Sequence, residues 1–297
     1  APRLDEQKIM DYLIHLCILF AIYGSLGLSL NLVVGYTGMI SITHAAFFGL
    51  GAYATAILMT GLGLNFFLSI LVGVAIAGLI SFLIGLIFNR LGGDYYVLGT
   101  VGFNSILFSV FLNWQGLTRG ALGIPGIPRP EVFGLSLSSN LNFLILAGVS
   151  LLAVFLLARF IAHSSFGRAL KAIREDERAI QVFGYNTVFY KTFVFAIAAG
   201  LAALAGSLFA SYISFIDPHN FTVLESVLIF SIVILGGVAS LRGSLLGALI
   251  LVLLPELLRF IGMPSDIAAQ MRQAIYGLVL VILMLYRPQG LIGEYKL

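Results

Sequence analysis

Residues 164–186 read SSFGRALKAIREDERAIQVFGYN, and positions 168–178 within them hold seven charged side chains, in a chain with 16 Lys and Arg and 13 Asp and Glu in all. Long apolar runs precede and follow this island, each carrying one charge near its island end, Arg159 and Lys191. Such a density of charge is very costly in hydrocarbon. The island must therefore project from a set of membrane spans into water, against headgroups or against another protein.

The composition agrees with the flanks. The chain is 60% hydrophobic and only 10% charged, where a soluble domain carries about 25% charged residues, and its mean hydropathy is +1.06. Its 33 glycines suit helices that approach closely in lipid, where no hydrophobic effect drives them together. A net charge of +3 with basic residues beside the apolar runs reads as membrane topology and not as nucleic-acid binding. Cys17 stands alone, which excludes an intrachain disulfide and a cysteine metal cluster.

A helix needs about 20 apolar residues to cross a bilayer core. The chain offers eight or nine such runs, near 10–34, 38–60, 64–89, 95–117, 141–162, 188–216, 223–240, 243–261 and 271–286. The expected fold is all-α, one polytopic transmembrane bundle over 1–297 with one broken or re-entrant segment and an amphipathic helix at about 164–186. The first run is too long for a cleaved signal peptide and is expected to stay.

Basic loops mark the cytoplasmic face. Arg168, Lys171, Arg174 and Arg178, flanked by Arg159 and Lys191, place the island inside. Alternation then brings Arg90, Arg242, Arg287, Lys296 and the C-terminus inside and loops 118–140 and 262–270 outside. Nine simple spans put the N-terminus outside, and a re-entrant second segment reverses it. The outer loop 116–140, rich in Gly and Pro, is expected to be a turn-rich cap, either a connector or a docking surface for an external partner.

Within the island, Ser164 or Ser165 is a suitable N-cap, and Leu170, Ile173, Ile180 and Phe183 recur at helical spacing. Lys171 and Glu175 are four apart and can pair, and Gly184 supplies a stop. The expectation is one amphipathic helix of about five turns. Glu175, Asp176 and Glu177 would be repelled by anionic headgroups, so its mixed charges favour a groove in a protein over a lipid surface.

Candidate path residues cluster between Gly35 and Gly51. Broken helices in transporters expose backbone that lines a cavity, and Thr37, Ser41, Thr43 and His44 bring polar atoms to this break. The alternative is tight packing with hydroxyls bonded to their own backbone. Gly236, Gly237, Gly243 and Gly247 read as packing, or as a mirror of the first break in a weak internal repeat. Asp94 and Glu225 open spans, where a carboxylate suits a helix N-terminus; Glu256 can pair with Arg259 beside Pro255. Trp114, Tyr95 and Tyr96 suit membrane interfaces. No phosphate-binding G-x-x-x-x-G-K-[ST], H-E-x-x-H or G-x-S-x-G occurs, so any ATP belongs to a partner and enzymatic chemistry in this chain is not expected. Sparse span charges fit a passage driven by a separate ATPase better than an ion-coupled carrier.

Five segments in order, 30–56, 93–130, 166–186, 234–259 and 286–291 (YRPQGL), resemble the permease subunits of branched-chain amino-acid ABC importers of the LivM type. The resemblance implies a bacterial inner-membrane subunit that pairs with a homologous permease, two cytoplasmic ATP-binding subunits and an external substrate-binding protein. It also implies that ATP and Mg sit on those partners and that no cofactor binds here. The island becomes the helix that inserts into an ATPase cleft, with Arg168, Lys171, Arg174, Glu175, Asp176, Glu177, Arg178 and Gly184 as coupling residues. The Glu-Ala-Ala…Gly motif common in this loop is degenerate here, Glu177-Arg178-Ala179 with Gly184. Related permeases carry urea and short amides, which is the alternative cargo; an ion-coupled carrier, or a membrane scaffold that docks cytoplasmic proteins through the same helix, are readings from other classes.

Overall fold

A computed structural model describes residues 2–132, 135–136, 139–260, 277–278, 281 and 289–293. The helices are α1 (Pro2–Thr37), α2 (His44–Leu62), α3 (Phe66–Phe88), α4 (Asp94–Asn113), the single turn α5 (Gln115–Thr118), α6 (Asn140–His163), α7 (Ser165–Glu175), α8 (Glu177–Val182), α9 (Thr187–Ile213), α10 (Val223–Gly236) and α11 (Leu241–Phe260). The protein is a polytopic helical bundle. Among the described residues, six helices are long and apolar enough to cross a membrane: α1 from Lys8 onward, α2, α3, α4, α6 and α9. The expected span at 271–286, the loop 262–270, Arg287, Lys296 and the Arg259 side chain with its expected Glu256 pairing lie outside the described residues.

Local chemistry sets the ends of these helices. Asn65 accepts from the Phe67 N–H at 2.9 Å to start α3, and Asn186 accepts from the Phe189 N–H at 3.1 Å to start α9, each satisfying a donor with no intrahelical partner. Gly63, at φ 62°, closes α2 in the left-handed conformation that glycine adopts without steric cost.

Buried α9 forms the axis of the bundle, with α2 along it and α1 and α3 against it. α2 and α9 touch backbone to backbone. A Cβ on Gly51 would overlap the Ala203 backbone, and one on Gly206 would overlap the Phe48 carbonyl. Small residues at this seam allow the approach, and the Thr55 hydroxyl donates to Ser207 Oγ across it at 2.8 Å.

Two expected spans start inside the bundle, for one geometric reason. α1 ends at Thr37, residues 38–43 run on without helix, and α2 begins at His44. His44 Nε2 lies 3.1 Å from Ser29 Oγ, eight residues back along α1, so the chain has travelled about 12 Å into the bundle before α2 starts. The same device recurs after α9. Residues 214–222 lead inward, the Phe221 ring packs on Phe48, Tyr53 and Phe111, and α10 starts there and runs only 14 residues.

The two units run in opposite directions. α1 descends to the island end and α2 rises away from it; α9 rises from the island end and α10 descends towards it. The α9–α10 turn thus runs opposite to the α1–α2 turn, and the glycines at 236–247 serve a different role. Those glycines pack α10 on α11, Gly236 against Gly243 and Gly247 against the Ile232 carbonyl.

Among the described residues, the 116–140 region is largely non-helical, as its glycines and prolines predict. Ile124–Pro125 pairs antiparallel with Phe215–Ile216, and the Gly126 N–H donates to the Ser214 carbonyl at 3.0 Å. The cap is thereby fastened to the segment that feeds α10.

Candidate functional site

The island folds as two helices. Asp176 leaves the helical conformation (φ −154°, ψ 100°), and its carboxylate accepts from the N–H groups of Arg178 (2.9 Å) and Ala179 (3.0 Å). It therefore caps α8, and the expected five-turn helix is broken at its acidic centre. Ser164 caps α7, accepting from the Gly167 N–H at 3.2 Å, and Gly184, at φ 87°, ends α8.

The two halves face different ways. α7 lies in a wedge between α1, α6 and α9, with Leu170 packed among Tyr36, Val154, Ala158 and Val194 and with Phe166 stacked on Tyr190. α8 has no buried residue; at its end Val182 and Phe183 are 87% and 78% exposed. Of the proposed coupling residues, Arg168, Glu175, Asp176, Arg178 and Gly184 are exposed. Lys171, Arg174 and Glu177 turn towards the bundle.

Those three connect the island to the spans. The Arg174 guanidinium donates to the Gly35 carbonyl, and its aliphatic stem covers Gly38 (φ 74°). Lys171 Nζ stands 5.4 Å from the centre of the Tyr36 ring, within cation–π reach. Glu177 accepts from Lys191 Nζ at 3.0 and 3.1 Å. Arg174 thus grips the last turn of α1 and the first residue of the break. A cavity of about 550 Å³ opens beside this grip, lined among others by Thr37, Gly38, Asn89, Asp94, Arg174 and Lys191.

Deeper in, the starts of the two broken helices meet. The Ala45 N–H donates to Ser226 Oγ at 2.9 Å, and that hydroxyl donates to Asn104 Oδ1 at 3.1 Å, joining α2, α10 and α4. The Ile42 N–H donates to Thr100 Oγ1 on α4 at 3.2 Å. Ser41 and Thr43 share a hydrogen bond of 3.0 Å, and Thr37 donates to the Val33 carbonyl at 2.6 Å. Ser41, Thr43 and His44 are thus buried within the subunit, whereas Thr37 borders the cavity. Among the described residues, His44 Nδ1 and Asn104 Nδ2 have no hydrogen-bond partner.

Further members of this polar core escape a reading of the sequence. Asn31, fully buried on α1, donates to the Ser240 carbonyl (3.0 Å) and Ser244 Oγ (2.7 Å) and accepts from the Ala239 N–H (3.0 Å). Asn104 and Ser226 were missed too. The only signal available was an amide isolated in an apolar run, which calls for a partner in lipid without naming it. Glu225 opens α10, as expected, and its Oε1 accepts from the Tyr23 hydroxyl at 2.8 Å. Among the described residues, no three His, Cys, Asp or Glu side chains could hold a metal ion together.

The site thus combines an exposed short helix, an arginine that grips the end of a broken span and a polar junction between helix starts. The chain is 34% identical over 303 residues to the high-affinity branched-chain amino acid transport system permease protein LivM of Escherichia coli K12, covering 94% of this chain and 69% of that protein. It is 25% identical to the probable LivM permease of Methanocaldococcus jannaschii, covering 96% and 94%, and 25% identical to the LivH permease of Escherichia coli K12, covering 92% and 91%. No solved structure matches it. The family described as branched-chain amino acid transport system permease component matches residues 12–284, and the chain belongs to that family.

Proposed function

We propose that this chain is one of two homologous permeases in an ATP-driven importer of branched-chain or other neutral amino acids in a bacterial inner membrane. Two cytoplasmic ATP-binding subunits hold ATP and Mg, an external binding protein delivers substrate, and this chain carries no cofactor. The island lies on the cytoplasmic face, and so does the C-terminus. The relatives' functions support the substrate class, and the match to both LivM and LivH proteins supports a pair of related permeases.

The observation that carries the mechanism is the grip of Arg174 on Gly35 and Gly38. Val182 and Phe183, with Glu175 and Arg178 beside them, seat in the ATPase. When the ATPases close, α8 and α7 move together, and Arg174, Lys171 and the Glu177–Lys191 pair carry that displacement to the end of α1 and the start of α9. Segment 38–43 then shifts against α4 and α10, and the polar junction at Ala45, Ser226 and Asn104 is re-formed. Thr37, Ser41, Thr43 and His44 take part as the moving polar lining of the break. The unpartnered His44 Nδ1 and Asn104 Nδ2 support a junction with a second bonding arrangement, since packed elements switch between discrete states.

Purification from the native membrane in mild detergent, with mass spectrometry of what accompanies the chain, tests the assembly. Two P-loop ATPases and a second permease are expected. A chain that arrives alone and drives uptake without ATP contradicts the reading.

A further inference from the structure

The surfaces of the outer helices are not alike. On α3 the exposed positions are Phe67, Leu68, Leu71, Ala75, Ile76, Leu79, Phe82, Leu83, Leu86 and Ile87, apolar throughout. On α6 they remain apolar from Leu141 to Leu157. α4 breaks the pattern beyond Leu98: the exposed positions there are Gly102, Ser105, Ile106, Ser109 and Asn113, with Ser105, Ser109 and Asn113 one per turn. A groove of about 670 Å³ runs along the outer half of this face, lined by Ser105, Ile106, Ser109, Val110, Asn113 and Trp114.

Lipid is a poor neighbour for such a face. Ser105 Oγ donates to the Val101 carbonyl at 3.1 Å and Asn113 Nδ2 donates to the Ser109 carbonyl at 2.8 Å. Those bonds use one donor from each side chain. The hydroxyl lone pairs, the Asn113 carbonyl oxygen and its second N–H still need partners that hydrocarbon cannot supply. Water and the polar ends of a zwitterionic substrate can supply them, while Ile106 and Val110 leave room for an aliphatic side chain.

The opposite face of α4 is bonded into the bundle. Thr100 accepts from Ile42 and Asn104 accepts from Ser226, so α4 is bonded to both broken segments. At its start, Asp94, Tyr96 and Val97 border the cavity beside Arg174. α4 is thus fastened behind to the parts that coupling moves, and in front carries hydroxyl and amide groups among apolar ones.

We infer that the α4 face at Ser105, Ser109 and Asn113 lines the water-filled translocation passage and is passed by the amino acid, with the second permease closing the far side. This rests on the proposed transport function and deepens it. Asn113 and Ser109 then act as specificity-determining residues by offering hydrogen bonds to the α-amino and α-carboxylate groups.

The test uses the complete transporter in membrane vesicles, with Cys17, the lone cysteine, replaced as Cys17→Ser. Single variants S105C, S109C and N113C are compared with L79C on α3 and V149C on α6. A small, charged thiosulfonate reagent reacts with the thiolate, which forms only where water reaches. The three α4 cysteines are expected to label about ten-fold faster than the two controls, and more slowly during turnover with leucine, binding protein and ATP. Labelling as slow as at L79C overturns the inference, and so does fast labelling that leucine leaves unchanged. Uptake by the Cys17→Ser protein with and without ATP is measured in the same vesicles. Uptake that ignores ATP removes the ABC reading while the labelling still reports on the passage.

Discussion

Asn31 shows how one side chain holds distant parts of this chain together. It reaches the Ala239 N–H, the Ser240 carbonyl and Ser244 on the far side of 208 to 213 residues. Replacing it by leucine leaves the buried Ala239 N–H without its partner, which costs about 1–3 kcal/mol. Asn31→Leu is therefore expected to lower the thermal unfolding midpoint in detergent by several degrees; an unchanged midpoint contradicts the role. Arg174→Ala removes the grip on Gly35 without opening the core. The expected result is membrane insertion at the normal level with uptake largely lost, and Arg174→Lys restoring part of it, measured as labelled-leucine accumulation. The sequence marks Asn31 and Asn104 only as amides in apolar runs. Their partners come from elements that meet solely in the folded bundle, so no local pattern could announce them.

At the scale of elements, Asp176 decides the shape of the island. Residues 164–186 contain no proline, and the apolar positions 170, 173, 180 and 183 keep one helical phase across the charged run, so one helix is the natural expectation. The observed break follows from the strength of aspartate as an N-cap, which the neighbouring acidic residues conceal. Removing the cap costs about 0.5–2 kcal/mol. In Asp176→Ala, the amides of Arg178 and Ala179 are expected to exchange hydrogen several-fold faster, read by mass spectrometry; unchanged exchange contradicts the cap. Span positions were legible because twenty apolar residues have few other uses. The breaks are half legible: Gly38 and the polar residues after it mark the first, but the second, through Pro218 to Thr222, carries no comparable signal and falls between two apolar runs.

At the scale of the molecule, the close seam between α2 and α9 holds the two opposed units to one another. Gly206→Ala places a methyl group against the Phe48 carbonyl and is expected to reduce the yield of folded protein sharply, seen as loss of the monodisperse peak in gel filtration. Val182 and Phe183, by contrast, touch little within this chain. Replacing both by serine is expected to leave that peak intact while weakening copurification of the ATPases; retention at the original level contradicts the docking role. The membrane bundle itself was evident from composition. Which surfaces face lipid and which face a passage was not, because α4 and α3 are both apolar helices in sequence and differ only in what their outward faces carry.

The most direct test of coupled transport is reconstitution of the purified assembly in liposomes, with leucine accumulation followed when binding protein is outside and ATP is enclosed. Accumulation that requires ATP and disappears in the Val182→Ser, Phe183→Ser double variant is the predicted result. Accumulation that proceeds without ATP and follows an imposed proton or sodium gradient would contradict it.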